Sequence, residues 1–277
     1  LKKTTVTKWI ILIAMFMVTA GICSGSELDS FTGEKGVLRI SGGTAHIPVM
    51  KEAARRIMIF NPGIQITIAG GGSGAGIKQV GEGLVNIGNS GRQATESEVS
   101  RYGLVMYKWA IDGVAAVVNP DNPVKQLSGK QLQDIFAGTI LNWESLGGED
   151  RAINIYTRDE SSGTRAVFWK KALNKGTISG KANFIISNGA MKSAITNDPY
   201  AIGYVSVGYI DKTVHPVRVD HVAPDLDTVK SGEYKVARGL YSNTRGDASG
   251  LAKKFIDYLL SPAGQEIAAQ KGFIPVN

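Results

Sequence analysis

The feature that most limits how this chain can fold is a junction used three times. A strand-like run ends in glycine and hydroxyl residues and opens at once into a helical pattern, in "GVLRISGGTAHIPVMKEAARRIMIFNPG", "IQITIAGGGSGAGIKQVGEG" and "INIYTRDESSGTRAVFWKKAL". Strict alternation over residues 64–68 marks a strand, and Ile47, Met50, Ala54, Ile57 and Phe60 recur at helical spacing, with Thr44 placed to cap that helix. Alternating strands and helices predict an α/β fold on largely parallel sheets. In such sheets ligands sit beyond the carboxyl ends of the strands. Loops 41–45, 71–76 and 158–165 are therefore the predicted ligand loops.

The chemistry of these loops points to an anion. The first turn of a helix leaves backbone N–H groups without intrahelical acceptors and carries the positive end of the helix dipole. Glycine lets the backbone approach closely, and the hydroxyls of Thr44, Ser73, Ser162 and Thr164 add donors that carry no charge. One such loop is ordinarily just a helix cap; three together shift the balance toward an anion site. "GGGSGAG" is not a nucleotide loop of the Gly-Lys-Ser/Thr type, because no such triplet follows it.

Bulk properties narrow the class further. With 277 residues, 43% of them apolar, the chain can bury a large core and divide into two lobes. Lys2, Lys3 and Lys8 precede the uncharged run "WIILIAMFMVTAGI", which is shorter than the roughly 20 residues of a membrane span, so residues 1–23 are predicted to be a signal peptide. Cys23 is the only cysteine, which excludes an internal disulfide. Its place after the apolar run suggests a lipidated first residue, and cleavage elsewhere in "AGICSGS" is the alternative. Polar residues 24–36 are predicted to be a flexible tether. Loss of the three signal lysines lowers the net charge from +7 to +4. No Lys/Arg run or zinc spacing supports nucleic-acid or metal binding, and His215 and His221 stand alone. His46, next to the Thr44 loop, belongs either to the helix surface or to the anion site.

"YKWAIDGVAAVVNP" reads as a long apolar strand running between lobes, and the chain is expected to cross near residues 111–114 and 237–240. Lobe 1 is then 37–112 with 238–277, and lobe 2 is 113–237. No internal sequence repeat is visible.

"RDESSGTRAVF", "LSGKQLQDIFAGTILNW", "AIDGVAAVVNPDNPV" and "FIDYLLSPAGQEI" resemble the phosphate-binding component of ABC-type phosphate importers, and the resemblance extends over about 37–277. It implies a two-lobed periplasmic-binding-protein type II fold, each lobe a mostly parallel sheet flanked by helices. It also implies a monomeric, exported receptor without cofactor or catalysis, in the periplasm or on the outer face of the cytoplasmic membrane. Such a receptor closes on inorganic phosphate and passes it to a membrane permease. Matched to the family's motifs, Thr44 with the Ala45 amide gives the first contact, Ser73 the second and Ser90 the third. Arg158, Ser162, Gly163 and Thr164 give the last, with Gly43, Gly74, Gly91 and Arg92 as further candidates. Arg158 would bring the one formal positive charge, and Glu160 would pair with it. The best-known pattern has an acid after the serine of the third loop, to accept the proton of hydrogen phosphate, where this chain has Gly91. Sulfate, molybdate or tungstate thus stand as alternative ligands, and Arg92 as either an anion contact or a strut to a carboxylate. A serine-dependent hydrolase using Ser73 or Ser162 is the rival from another class; neither serine has a nucleophile elbow.

Overall fold

The computed structural model describes residues 27–276, and the predicted signal peptide and Cys23 lie outside them. Its strands are β1 (Gly36–Gly42), β2 (Ile64–Gly71), β3 (Ile87–Ser90), β4 (Leu104–Val118), β5 (Gln126–Leu127), β6 (Asn154–Arg158), β7 (Asn183–Ile185), β8 (Ala201–Ser206), β9 (His215–Pro216), β10 (Arg218–Val219), β11 (Ala237–Arg245) and β12 (Ile274–Pro275). Its α-helices are α1 (Ile47–Phe60), α2 (Gly72–Gly81), α3 (Glu96–Tyr102), α4 (Gly129–Ala137), α5 (Gly163–Lys171), α6 (Asn188–Asn197), α7 (Leu226–Ser231), α8 (Gly250–Leu260) and α9 (Pro262–Gln270).

Two halves repeat one topology that the sequence does not display. In the first, β2, β1 and β3 lie side by side and parallel, with β11 antiparallel to β3. In the second, β7, β6 and β8 lie parallel in the same relative order, with β4 antiparallel to β8. Each sheet is therefore mixed, three parallel strands closed by an antiparallel one. The fifteen-residue β4 joins them: residues 104–113 pair with β11 and 114–118 with β8. The chain leaves the first half along β4 and returns along β11, so these two strands form the crossing.

Each half has its own core. Ile40, Met50, Ile57, Trp109, Phe255 and Leu259 centre the first; Val118, Phe136, Trp143, Ile155, Phe168 and Tyr204 centre the second. Phe168 stacks on Tyr204 with ring centroids 4.3 Å apart, which seats α5 on β8. Helix α4 has Ser128 and Gln131 in a reciprocal capping box and ends at Gly138 with φ 80°, a left-handed conformation that glycine adopts without strain.

Of the expected tether, 24–36, residues 27–35 are folded onto the first half. Phe31 is buried in its core, Asn61 Nδ2 donates to the carbonyls of Phe31 and Glu34, and Lys254 holds the Ser30 carbonyl. An aromatic residue in a polar run supplied enough burial to order it. Thr44 does not cap α1 with its side chain; it begins a 3-10 turn, Thr44–His46, that leads into the helix and frees its hydroxyl.

Candidate functional site

The parallel strands of both halves aim their carboxyl ends at the crossing, and a small polar cavity lies there. The first half contributes Gly43, Thr44, Ala45, His46, Gly72, Ser73 and Gly91. The second contributes Arg158, Ser162, Gly163 and Thr164, and β11 adds Arg238. Helices α2 and α5 start at this cavity, and the turn before α1 begins there as well, so their N-terminal dipole ends converge.

The hydroxyls are oriented by their neighbours. A hydroxyl has one hydrogen to give and two lone pairs to accept with. Thr44 Oγ1 accepts from Asn188 Nδ2 at 3.0 Å and from the Asn188 N–H at 3.2 Å. Ser73 Oγ accepts from the Gly91 N–H at 2.9 Å, and Ser162 Oγ from the Arg165 N–H at 3.2 Å. Thr164 Oγ1 receives a long contact, 3.5 Å, from Asn188 Nδ2. With lone pairs engaged by the protein, these groups have their O–H hydrogens left for the cavity.

Arg158 closes the cavity from the end of β6. It is 1% exposed, and its Nη2 donates to the Ile186 carbonyl at 2.9 Å. Nε and Nη1 are buried with no hydrogen-bond partner. Burial holds its pKa below the ordinary arginine value. A guanidinium with two unanswered nitrogens facing polar donors calls for an anion.

Arg238 is paired. Its Nε and Nη2 donate to Asp112 Oδ2 at 2.9 and 2.8 Å, and Asp112 Oδ1 accepts from Ser206 Oγ at 2.8 Å. Burial pushes the Asp112 carboxyl up, while the Arg238 fork and the Ser206 hydroxyl oppose the shift. His46 is fully buried, its Nδ1 lies 3.0 Å from the Gly43 carbonyl, and burial lowers its pKa to about 3, so the ring is neutral.

The two halves touch around the cavity. Beyond the Thr44–Asn188 contacts, Tyr209 OH donates to the Thr44 carbonyl at 2.7 Å and the Gly74 N–H to the Ser161 carbonyl at 3.0 Å. Ser161 Oγ reaches the Gly71 carbonyl at 3.2 Å. Gly163 permits this approach: a β-carbon there would stand 2.1 Å from Ser73 Oγ.

Of the residues singled out in the sequence, Gly43, Thr44, Ala45, Ser73, Gly91, Arg158, Ser162, Gly163 and Thr164 line this one cavity. Ser90, Arg92, Gly74 and Glu160 do not. The Ser90 hydroxyl donates to the Arg92 carbonyl and accepts from Asn243. Arg92 is a strut, bonded through both Nη atoms to Glu98. Gly74 spends its N–H on Ser161. Glu160 is exposed and lies 3.7 Å from Arg165, because the Arg158 side chain turns inward under Ile186 and away from it. His46 is no helix-surface residue either, being buried against Trp109. Arg238, Asp112 and Asn188 were missed. The signal for the first two was a charged residue inside each apolar crossing strand, in "AIDGVAAVV" and "VARGL".

Two halves built on mixed sheets of the same strand order, joined by two crossing strands and meeting over a donor-lined cavity, define a two-lobed solute-binding protein. The description "PBP superfamily domain" matches residues 29–263. The chain is 41% identical to phosphate-binding protein PstS of Bacillus subtilis, over 96% of this chain and 92% of that one. It thus belongs to the PBP superfamily and, within it, to the PstS family. A solved substrate-binding protein with bound phosphate from Clostridium perfringens superposes with TM-score 0.82 at 34% identity, covering 87% of this chain and all of that one. An ABC-type phosphate transport receptor from Vibrio cholerae superposes with TM-score 0.68 at 31% identity, covering 86% of this chain and 99% of that one.

Proposed function

We propose that this protein is an extracytoplasmic receptor that closes its lobes on inorganic phosphate and delivers it to an ABC-type permease. The observation that carries the reading is Arg158: a buried guanidinium with two unpartnered nitrogens, in a cavity whose hydroxyls present hydrogens from both lobes. Closure without an anion leaves that charge desolvated and unanswered, which costs several kcal/mol. A tetrahedral oxyanion answers it and receives the amides of two helix starts at the same time. Ligand binding and lobe closure are then linked, with β4 and β11 as the crossing strands about which the lobes move.

The relatives support phosphate in particular, since their names state it. The receptor does no chemistry on its ligand. His46 Nδ1 faces the Gly43 carbonyl rather than a serine hydroxyl, and among the described residues no histidine or carboxylate is hydrogen-bonded to the hydroxyl of Ser73 or Ser162. The absence of a carboxylate at Gly91 favours one second reading, that sulfate or another oxyanion competes for the site.

Thermal unfolding with a panel of oxyanions tests this. A ligand present at 100 times its Kd stabilises the folded state by about 2.7 kcal/mol. Phosphate is expected to raise the transition most; no shift with phosphate, and a shift with another oxyanion, would reassign the receptor.

A further inference from the structure

We propose that Arg238 is a second arginine for the anion, installed by Asp112 and Gly91, and that it makes the site select the phosphate dianion over the monoanion. This rests on the phosphate-receptor reading above.

The geometry leaves one nitrogen of Arg238 for the task. Nε and Nη2 are fixed on Asp112, itself held by Ser206 from the other lobe. Nη1 faces Gly91: a β-carbon at that position would stand 2.6 Å from Nη1 and 2.9 Å from Cζ. The guanidinium thus fills the space that a side chain at position 91 would occupy, and both residues line the cavity. Where a carboxylate could have accepted a ligand proton, the site has a donor instead.

The other groups point the same way. Thr44, Ser73 and Ser162 accept from protein N–H groups, so each meets the ligand with a hydrogen. Each protonated phosphate oxygen facing such a wall sets donor against donor; the dianion carries one such oxygen and the monoanion two, so the dianion meets one clash fewer. The titratable groups facing the two arginines are Asp112, Asp159, His46, Tyr204 and Tyr209. Burial holds both tyrosines at about 12 and His46 at about 3, so none of those three changes charge near neutrality. The pH dependence of binding there follows the second ionisation of phosphate itself. His46 Nε2, buried beside the Ser90 and Tyr241 backbone, is the competing candidate for a ligand-proton acceptor.

Calorimetric titration with inorganic phosphate from pH 5.5 to 8.5 decides between them. Affinity of the wild-type protein is expected to rise about tenfold per pH unit on the acid side of that ionisation and to level above it. Arg238→Lys keeps a cation for Asp112 but cannot also reach past Gly91, and Gly91→Ala displaces the guanidinium. Each is expected to weaken phosphate binding at least tenfold and to flatten the profile, with the unfolding transition retained. Tight wild-type binding with a flat profile, or an Arg238→Lys protein that binds as the wild type does, would overturn this inference alone. Absence of any phosphate binding by the wild type would overturn the receptor reading together with it.

Discussion

Asn188 holds Thr44 across the cleft: its Nδ2 and backbone N–H both donate to Thr44 Oγ1, while its Oδ1 accepts from the Ser206 N–H at 3.0 Å. One side chain thereby ties the first ligand loop to the second lobe and fixes the direction of the Thr44 hydrogen. Asn188→Ala removes the Nδ2 bond that shares in this orientation and leaves the Ser206 amide unsatisfied. Phosphate affinity is expected to fall by about 1–3 kcal/mol, and Asn188→Asp, which keeps the acceptor but loses the donor, by a similar amount. Calorimetry checks both.

Gly163 sets how closely the lobes meet. A β-carbon there would overlap Ser73 Oγ at 2.1 Å and crowd Ser73 Cβ at 3.0 Å, yet alanine is favourable in a helical first turn. Gly163→Ala is therefore expected to fold normally and fail to close. Small-angle scattering should show a radius of gyration that contracts with phosphate in the wild type and stays fixed in the variant.

His46 gives stability an acid dependence. Its folded pKa of about 3 lies below the unfolded value near 6.5, so between these values the unfolded chain binds the extra proton. Its contribution is complete above pH 6.5 and is lost as pH falls below it, by up to about 1.4 kcal/mol per unit. Urea unfolding from pH 7 to 4 should show a shallower decline for His46→Gln than for the wild type.

The strand-to-helix junctions were legible because they combine two local signals, hydrophobic period and capping chemistry. Thr44, Ser73, Ser162 and Thr164 could be placed from them alone. The Arg238–Asp112 pair could not, since its partners stand 126 residues apart and each is an isolated charge in an apolar strand. Ser90 and Arg92 failed for a different reason. Their residue types suit an anion, but Asn243 and Glu98, which engage them, come from β11 and α3. The shared strand order of the two lobes was equally invisible, because burial pattern and not residue identity carries it.

The most direct test is calorimetric titration of the protein and its Arg158→Met variant with inorganic phosphate. The variant removes a buried guanidinium whose Nε and Nη1 are unpartnered, so the ligand-free protein is expected to unfold at the same temperature as the wild type or higher. The wild type should bind one phosphate per chain, and the variant should lose at least about 1.5–3 kcal/mol of that affinity. Equal affinity in the two proteins would contradict a cavity organised around Arg158.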